Sequence, residues 1–132
     1  MPPVIVSPPD PDWPTEFAKA AAEVRAICGE NLIEIHHIGS TSVPGLWAKP
    51  IIDMLAVVDD FDPLDRLNPQ FVSLRYEPMG ECGIPSRRYF RRDNPAGIRT
   101  HQIHAFEVGS THIERHLAFR DYLRSMPTVA NE

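Results

Sequence analysis

The chain has 132 residues, 42% of them hydrophobic, which is enough for one domain with a real core and too little for two independent ones. The balance of 18 acidic against 13 basic residues gives a formal charge of -5, which opposes general binding to a nucleic-acid backbone. Cys28 and Cys82 have neither C-x-x-C nor zinc-ribbon spacing, and no apolar run reaches the length of a membrane span, so a reducing cytoplasm is the expected setting and a membrane or export is not.

The prolines before Asp12 predict an extended arm over residues 1–11, with Asp12 as the N-cap of a helix. In residues 15–28, Phe17, Ala21, Val24 and Cys28 recur at three- and four-residue steps, which predicts an amphipathic helix stopped by Gly29. Residues 32–37 alternate as a strand, with Leu32, Glu34 and His36 on one face and Ile33, Ile35 and His37 on the other, and Gly39 ends it. Residues 51–58 are apolar except for Asp53, the pattern of a central strand covered on both faces. A short helix is predicted over 61–67, a third strand over 71–76 and a loop over 78–85. Residues 87–92 and 99–108 predict two strands joined by the turn Asp93-Asn94-Pro95-Ala96-Gly97. Residues 113–126 carry Ile113, Leu117, Phe119, Tyr122, Leu123 and Met126 among charges, a second amphipathic helix that ends before Pro127.

Chemistry concentrates where the first strand runs into Gly39-Ser40-Thr41-Ser42. Glycine lets a backbone approach a ligand closely, and Ser40, Thr41 and Ser42 add hydroxyls beside free N–H groups, so the turn suits a phosphate; a solvated turn explains the same residues. Asp53 is the second signal, because an unpartnered carboxylate in an apolar strand costs on the order of several kcal/mol. Its partner is either a divalent ion opposite the turn or a cation, Lys49 or an arginine of residues 87–92. Alternation puts Arg87 and Arg91 on one face and Arg88 and Arg92 on the other, where they meet a phosphate or carboxylate or guard a solvated edge. His101 and His104 face opposite ways on their strand, so at most one shares a cleft with Asp53. That histidine is a general base, a ligand of Zn²⁺, Mn²⁺ or Fe²⁺, or a hydrogen-bonded strand residue. His112 and His116 have a metal-compatible spacing without a third ligand, and Arg120 with Asp121 reads as a polar anchor of the last helix against the sheet.

The run His37-Ile38-Gly39-Ser40-Thr41-Ser42-Val43-Pro44-Gly45-Leu46, followed by Ala48-Lys49-Pro50-Ile51-Ile52-Asp53, closely resembles the signature of the GrpB family. Thr100-His101-Gln102-Ile103-His104 with Gly109-Ser110, then Leu117-Ala118-Phe119-Arg120-Asp121-Tyr122-Leu123-Arg124, and Asp10-Pro11-Asp12-Trp13-Pro14 extend the likeness over nearly the whole chain. That family is grouped with the nucleotidyltransferase superfamily, and in some bacteria a GrpB-like domain is fused behind dephospho-coenzyme A kinase. The resemblance implies an α/β (α+β) fold, a nucleotidyltransferase-like mixed β-sheet flanked by helices, as a single domain over 1–132. It also implies a Gly-Ser turn that holds a nucleotide triphosphate and a strand whose Asp-x-Asp or Asp-x-Glu pair binds metal. Gly39 and Ser40 match the turn and Asp53 the first carboxylate, but the same-face partner position holds Leu55, which breaks the usual two-metal clamp. Glu107 is the remaining candidate carboxylate.

The expectation is therefore a nucleotidyltransferase-like protein that binds a nucleotide or phosphorylated metabolite through Gly39, Ser40, Thr41 and Ser42, with Mg²⁺ or another divalent metal on Asp53. Lys49 or Arg91 would neutralise charge, and His37 or His104 would move a proton in nucleotidyl transfer. A non-catalytic binding or regulatory module with a degenerate metal site and a mononuclear Asp/His metal hydrolase are the alternatives. The chain's end, residues 126–132, reads as short beside a family that commonly continues into another helical segment.

Overall fold

A computed structural model of the protein describes residues 6–126. The first part of the expected arm and nearly all of the end segment, residues 127–132, thus lie outside the described residues; within them, Ser7 and Ala48 exchange backbone hydrogen bonds of 2.8 and 3.0 Å as an isolated bridge.

Helix α1 spans Trp13–Cys28 and starts on Pro14, whose fixed φ suits a first turn. Asp12 holds the N-cap position, but its side chain makes no cap bond; instead Asp10 accepts from the Asp12 N–H at 2.8 Å. Strands β1 (Leu32–Ile38) and β2 (Ile52–Val58) follow, then two short helices, α2 (Phe61–Arg66) and α3 (Asn68–Ser73), then β3 (Glu77–Pro78), β4 (Arg88–Asp93), β5 (Arg99–Glu107) and α4 (Thr111–Arg124). The strands form one mixed sheet in the order β1-β2-β5-β4-β3, parallel between β2 and β5 and antiparallel elsewhere. This is the mixed sheet flanked by helices that the resemblance implies.

The two faces of the sheet differ in weight. One carries the main core, in which Ile52, Met54, Ala56 and Val58 of β2 pack with Trp13, Ala20 and Val24 of α1, Leu64 of α2, Phe71 of α3, and Phe90 and Ile103 of the hairpin strands. On the other face a small cluster of Ile38, Leu55 and Phe106 meets Ile113 and Leu117 of α4, while Phe119 and Tyr122 of that helix stay exposed. The central strand is thus covered on both sides, as its unbroken apolar run predicts.

Two elements depart from expectation. Residues 71–76 form the second half of α3 and its exit, not a strand: Leu64, Leu67, Phe71 and Leu74 recur at helical steps and all pack on the main core, and Pro69 opens the helix. Pro78, expected in a loop, instead joins Glu77 in a minimal edge strand that pairs with Phe90 and Arg91. In β1 the register shifts between Leu32 and Glu34, a bulge that leaves Ile33 exposed and turns Leu32 into the core beside Ile35. Simple alternation had placed Leu32 and Ile35 on opposite faces.

α3 closes with the Tyr76 N–H donating to Phe71 O at 2.9 Å and the Arg75 N–H to Val72 O at 2.8 Å, the two bonds of a Schellman ending. Arg75 occupies the left-handed position of that ending, with φ 67, where a glycine is unstrained. Arg75→Gly is therefore expected to raise stability by about 1 kcal/mol, measured as a higher urea midpoint at unchanged m.

Candidate functional site

β1 ends and β2 begins side by side, and the junction is closed by Gly39, with φ 75 and ψ -177. That backbone conformation belongs almost wholly to glycine. A Cβ there would stand 2.7 Å from Asp53 Oδ2, so the turn lies directly against the carboxylate. Residues Ser40–Ser42 then make a single 3-10 turn, and their hydroxyls divide in role. Thr41 Oγ1 donates to Ile51 O at 2.9 Å and Ser42 Oγ donates to Gly39 O at 2.6 Å, so both are buried braces; Ser40 is exposed beside the carboxylate.

Register fixes what shares the face of Asp53. Ile38, Asp53, Gln102 and Arg91 form one row across the sheet, and His36, Leu55, His104 and Tyr89 the next. Asp53 is not sealed in the core: as the second residue of β2 it keeps a quarter of its side-chain surface exposed. Its partner is neither Lys49 nor a strand arginine but His104, whose Nε2 lies 3.3 Å from Asp53 Oδ1. Behind the imidazole, Arg87 donates to His104 Nδ1 at 3.3 Å while also donating to the carbonyls of Glu81 and Cys82 at 3.1 and 3.0 Å. Arg87 is buried and its guanidinium lies over the Tyr89 ring.

The other predicted residues fall elsewhere. His37 points to the opposite face, stacked on Phe17, and its Nε2–H donates to Thr41 Oγ1 at 2.9 Å; Thr41 must accept because its own proton goes to Ile51 O. It braces the turn from behind and has no contact that would deliver a proton to the Asp53 face. Lys49 is exposed, and Arg91, though in the Asp53 row, is paired with Glu77 at 2.6 Å. His101 faces the main core side and meets Arg92. Glu107 sits at the far end of β5 and accepts from the Phe61 N–H at 3.0 Å, so it is no third carboxylate for the site. His112 and His116 both lie against Phe106, with the His116 ring 5.8 Å from that of His104. Arg88 grips Asp65 with two bonds and Arg92 lies over Tyr76, so these arginines serve packing between elements and not a solvated edge. A concavity of about 550 Å³ on the α1 side of the same sheet end is lined by Glu23, Arg92 and His101 among others, and Asp53 is not part of its wall.

Arg120 anchors the last helix on the sheet as its sequence predicts, while the role of Arg124, the other cation at the turn, was not foreseen. Arg120 Nη1 donates to His37 O at 3.4 Å and Arg124 Nε to Ser42 O at 3.1 Å, so two arginines one helical turn apart on α4 bracket the Gly39–Ser42 segment. Their i, i+4 spacing was the available signal. Burial, followed by the nearby Arg124, lowers the His37 pKa to about 4, and burial with Arg92 does the same to His101. Burial and the neighbouring Arg120 lower that of Arg124.

Among the described residues no set of three or more His, Cys, Asp or Glu side chains converges as a metal cage. One carboxylate beside an exposed hydroxyl fits a magnesium ion that draws the rest of its shell from phosphate and water, and does not fit a zinc site built from protein ligands alone.

Comparison with known proteins adds lineage to this geometry. A family model described as GrpB protein matches residues 3–132. The chain is 44% identical over 120 residues to the UPF0157 protein YqkA of Bacillus subtilis, covering 91% of this chain and 34% of that protein. It therefore spans about a third of that relative's length. A crystal structure of GrpB from Enterococcus faecalis superposes with a TM-score of 0.90 at 45% identity, covering 96% of this chain and 76% of that one. A mutant of the Cid1 poly(U) polymerase bound to MgATP shares the fold, with a TM-score of 0.58 at 10% identity over 93% of this chain and 39% of that one.

Gly39→Ala is expected to cost about 1–3 kcal/mol from backbone conformation alone, and to displace Asp53, because the new methyl group meets Oδ2; chemical denaturation and the Asp53 side-chain NMR signals would register the two effects. A second expectation concerns pH. His37 and His101 take up protons near pH 6.5 when unfolded and only near 4 when folded, so the unfolded chain binds more protons between those values. Stability should be complete above that window and fall as pH drops through it, by up to about 1.4 kcal/mol per pH unit for one such group. Urea unfolding across the window measures the slope, which His37→Gln should flatten.

Proposed function

The chain belongs to the GrpB family, and on that footing we propose that it binds a nucleotide or another phosphorylated small molecule, with one divalent cation, across the Gly39-Ser40 turn and Asp53. The observation that carries the reading is the pressing of a glycine-only backbone onto a partly exposed carboxylate at the mouth of the sheet. In this reading the free oxygen of Asp53 takes the cation, the Ser40 hydroxyl and the N–H groups of the turn take a phosphate, and Arg120 and Arg124 supply positive charge from α4. Thr41 and Ser42 hold the turn in shape, and His37 braces it from the opposite face. The shared fold with a MgATP-bound polymerase supports a nucleotide as the phosphate carrier.

Leu55 weighs against two-metal transfer. It is fully buried against Ile38 and Phe106 where a second carboxylate would stand, so no side chain there bridges a second ion. That favours, as the second reading, a non-catalytic binding or regulatory module over nucleotidyl transfer. The mononuclear hydrolase has less support, since only His104 joins Asp53 and the other histidines near it belong to α4.

Thermal melting with Mg²⁺ and ATP tests the proposal. A ligand present at a hundred times its Kd adds about 2.7 kcal/mol to the folded state, so a rise of several degrees is expected, dependent on Mg²⁺ and absent in Asp53→Asn. A rise that survives both the removal of Mg²⁺ and Asp53→Asn assigns the site to cation-independent binding. Absence of any rise with ATP or other phosphorylated ligands rejects the reading.

A further inference from the structure

Arg87, His104 and Asp53 are joined in series, and the chemistry of the first fixes the state of the others. A guanidinium has only donors, so at the 3.3 Å contact His104 Nδ1 must be the acceptor. An imidazole that accepts at Nδ1 is neutral and carries its proton on Nε2. That proton points along the 3.3 Å contact to Asp53 Oδ1, which accepts it. We propose that Arg87 is a positioning residue of the Asp53 site: it holds His104 in the neutral Nε2–H form, His104 ties down Oδ1, and Oδ2 alone is left to face the Gly39-Ser40 turn. The inference borrows from the proposed function only the idea that Asp53 is the ion's ligand.

The surroundings support this division of the carboxylate. Oδ2 is the atom that a Cβ on Gly39 would strike, so the two oxygens point to different neighbours, one to the imidazole and one to the turn. Arg87 is held by two backbone carbonyls and by the face of Tyr89, and among the described residues it makes no ion pair. A buried cation kept without a direct carboxylate is costly, and its charge here acts on Asp53 through the ring. Tyr89 of β4 and His116 of α4 both lie tilted against that ring, with centroids 5.4 and 5.8 Å away, so the imidazole packs between elements as well as between Arg87 and Asp53. His104 in this form offers no lone pair toward Asp53: it is neither a metal ligand nor a ready base there, and a cation at Asp53 meets a single carboxylate oxygen. Conserved hydrogen-bond partners behind a ligating carboxylate commonly change metal affinity by 10- to 100-fold.

Long-range ¹H–¹⁵N correlation of the histidine rings at pH 7, on the whole chain, is the test. His104 is expected as the neutral Nε2–H tautomer, and the same tautomer is expected in Asp53→Asn, because Arg87 and not Asp53 selects it. In Arg87→Met a mixture of tautomers is expected, with the Kd for Mg²⁺ and ATP raised about tenfold. If Arg87→Met does not fold, the wild-type and Asp53→Asn spectra still decide. An imidazolium or an Nδ1–H tautomer in wild type, a tautomer that changes in Asp53→Asn, or Nε2 coordinated to added Zn²⁺ would each overturn the inference. A chain that shows the expected tautomers but does not respond to Mg²⁺ and ATP rejects the proposed function and leaves the role of Arg87 standing.

Discussion

No atom larger than hydrogen fits on the Cα of residue 39 facing Asp53, and the rest of the site is arranged to maintain that approach. The backbone can come so close only with a positive φ and an extended ψ, so the turn must be held against its own conformational freedom. His37 and Thr41 do this from behind by linking the turn to Ile51 O, the residue just before β2. Arg120 and Arg124 do it from the front by engaging the carbonyls on either side of the turn. Ser42 closes it internally on Gly39 O. Apart from that internal bond, these contacts join segments that meet at one end of the sheet, so the geometry around Asp53 depends on the tertiary fold and not on the loop sequence alone.

The sheet separates two kinds of work. On the α1 side lie the long apolar rows and the arginine contacts that join elements, such as Arg88 with Asp65 and Arg92 with Tyr76. The α4 side has little apolar packing, and polar groups that would weaken a core sit there instead: Gln102, His104, Tyr89, Arg91 and Asp53. Strand alternation makes such a division available at no cost to register, since neighbouring residues of one strand serve opposite faces. Leu55 lies between these polar groups and ties the light face to Ile38 and Phe106.

How much of this was legible in the sequence follows from the range of the interactions. Helix α1 and strand β2 were readable because their periodicity, or its absence, is set over many residues by burial on one face or on two. Residues 71–76 were misread because six residues satisfy both periods, and only the preceding Leu64 and Leu67 show that the helical one continues. The bulge at Ile33 left no mark in composition, since it depends on pairing with β2. The same limit governs the site. That Asp53 needed a partner could be read from its apolar flanks, and Gly39 from its neighbours; that the partner is His104, with Arg87 behind it, depends on the parallel pairing of Leu55 with His104. The choice among three adjacent hydroxyls was equally hidden, because Ser42 is committed to Gly39 O within the turn and Thr41 to Ile51 O just before β2.

That parallel pairing also sets how far apart in sequence the parts of the site lie. β1 and β2 are close in sequence and antiparallel, with α1 just before them, so this part can assemble through short loop closures. β5 pairs with β2 although two helices and the β3–β4 segment intervene in sequence, and Asp53 and His104 are 51 residues apart. Closing a loop of that size costs entropy before the strand contacts compensate for it. Asp53 therefore lacks His104 in any chain without a paired β5, and the candidate site is complete only once that pairing is made. A nascent or damaged chain without β5 keeps the Gly39 turn and Asp53 but not His104 and Arg87 behind it, so the Asp53–His104 contact reports on complete assembly of the sheet.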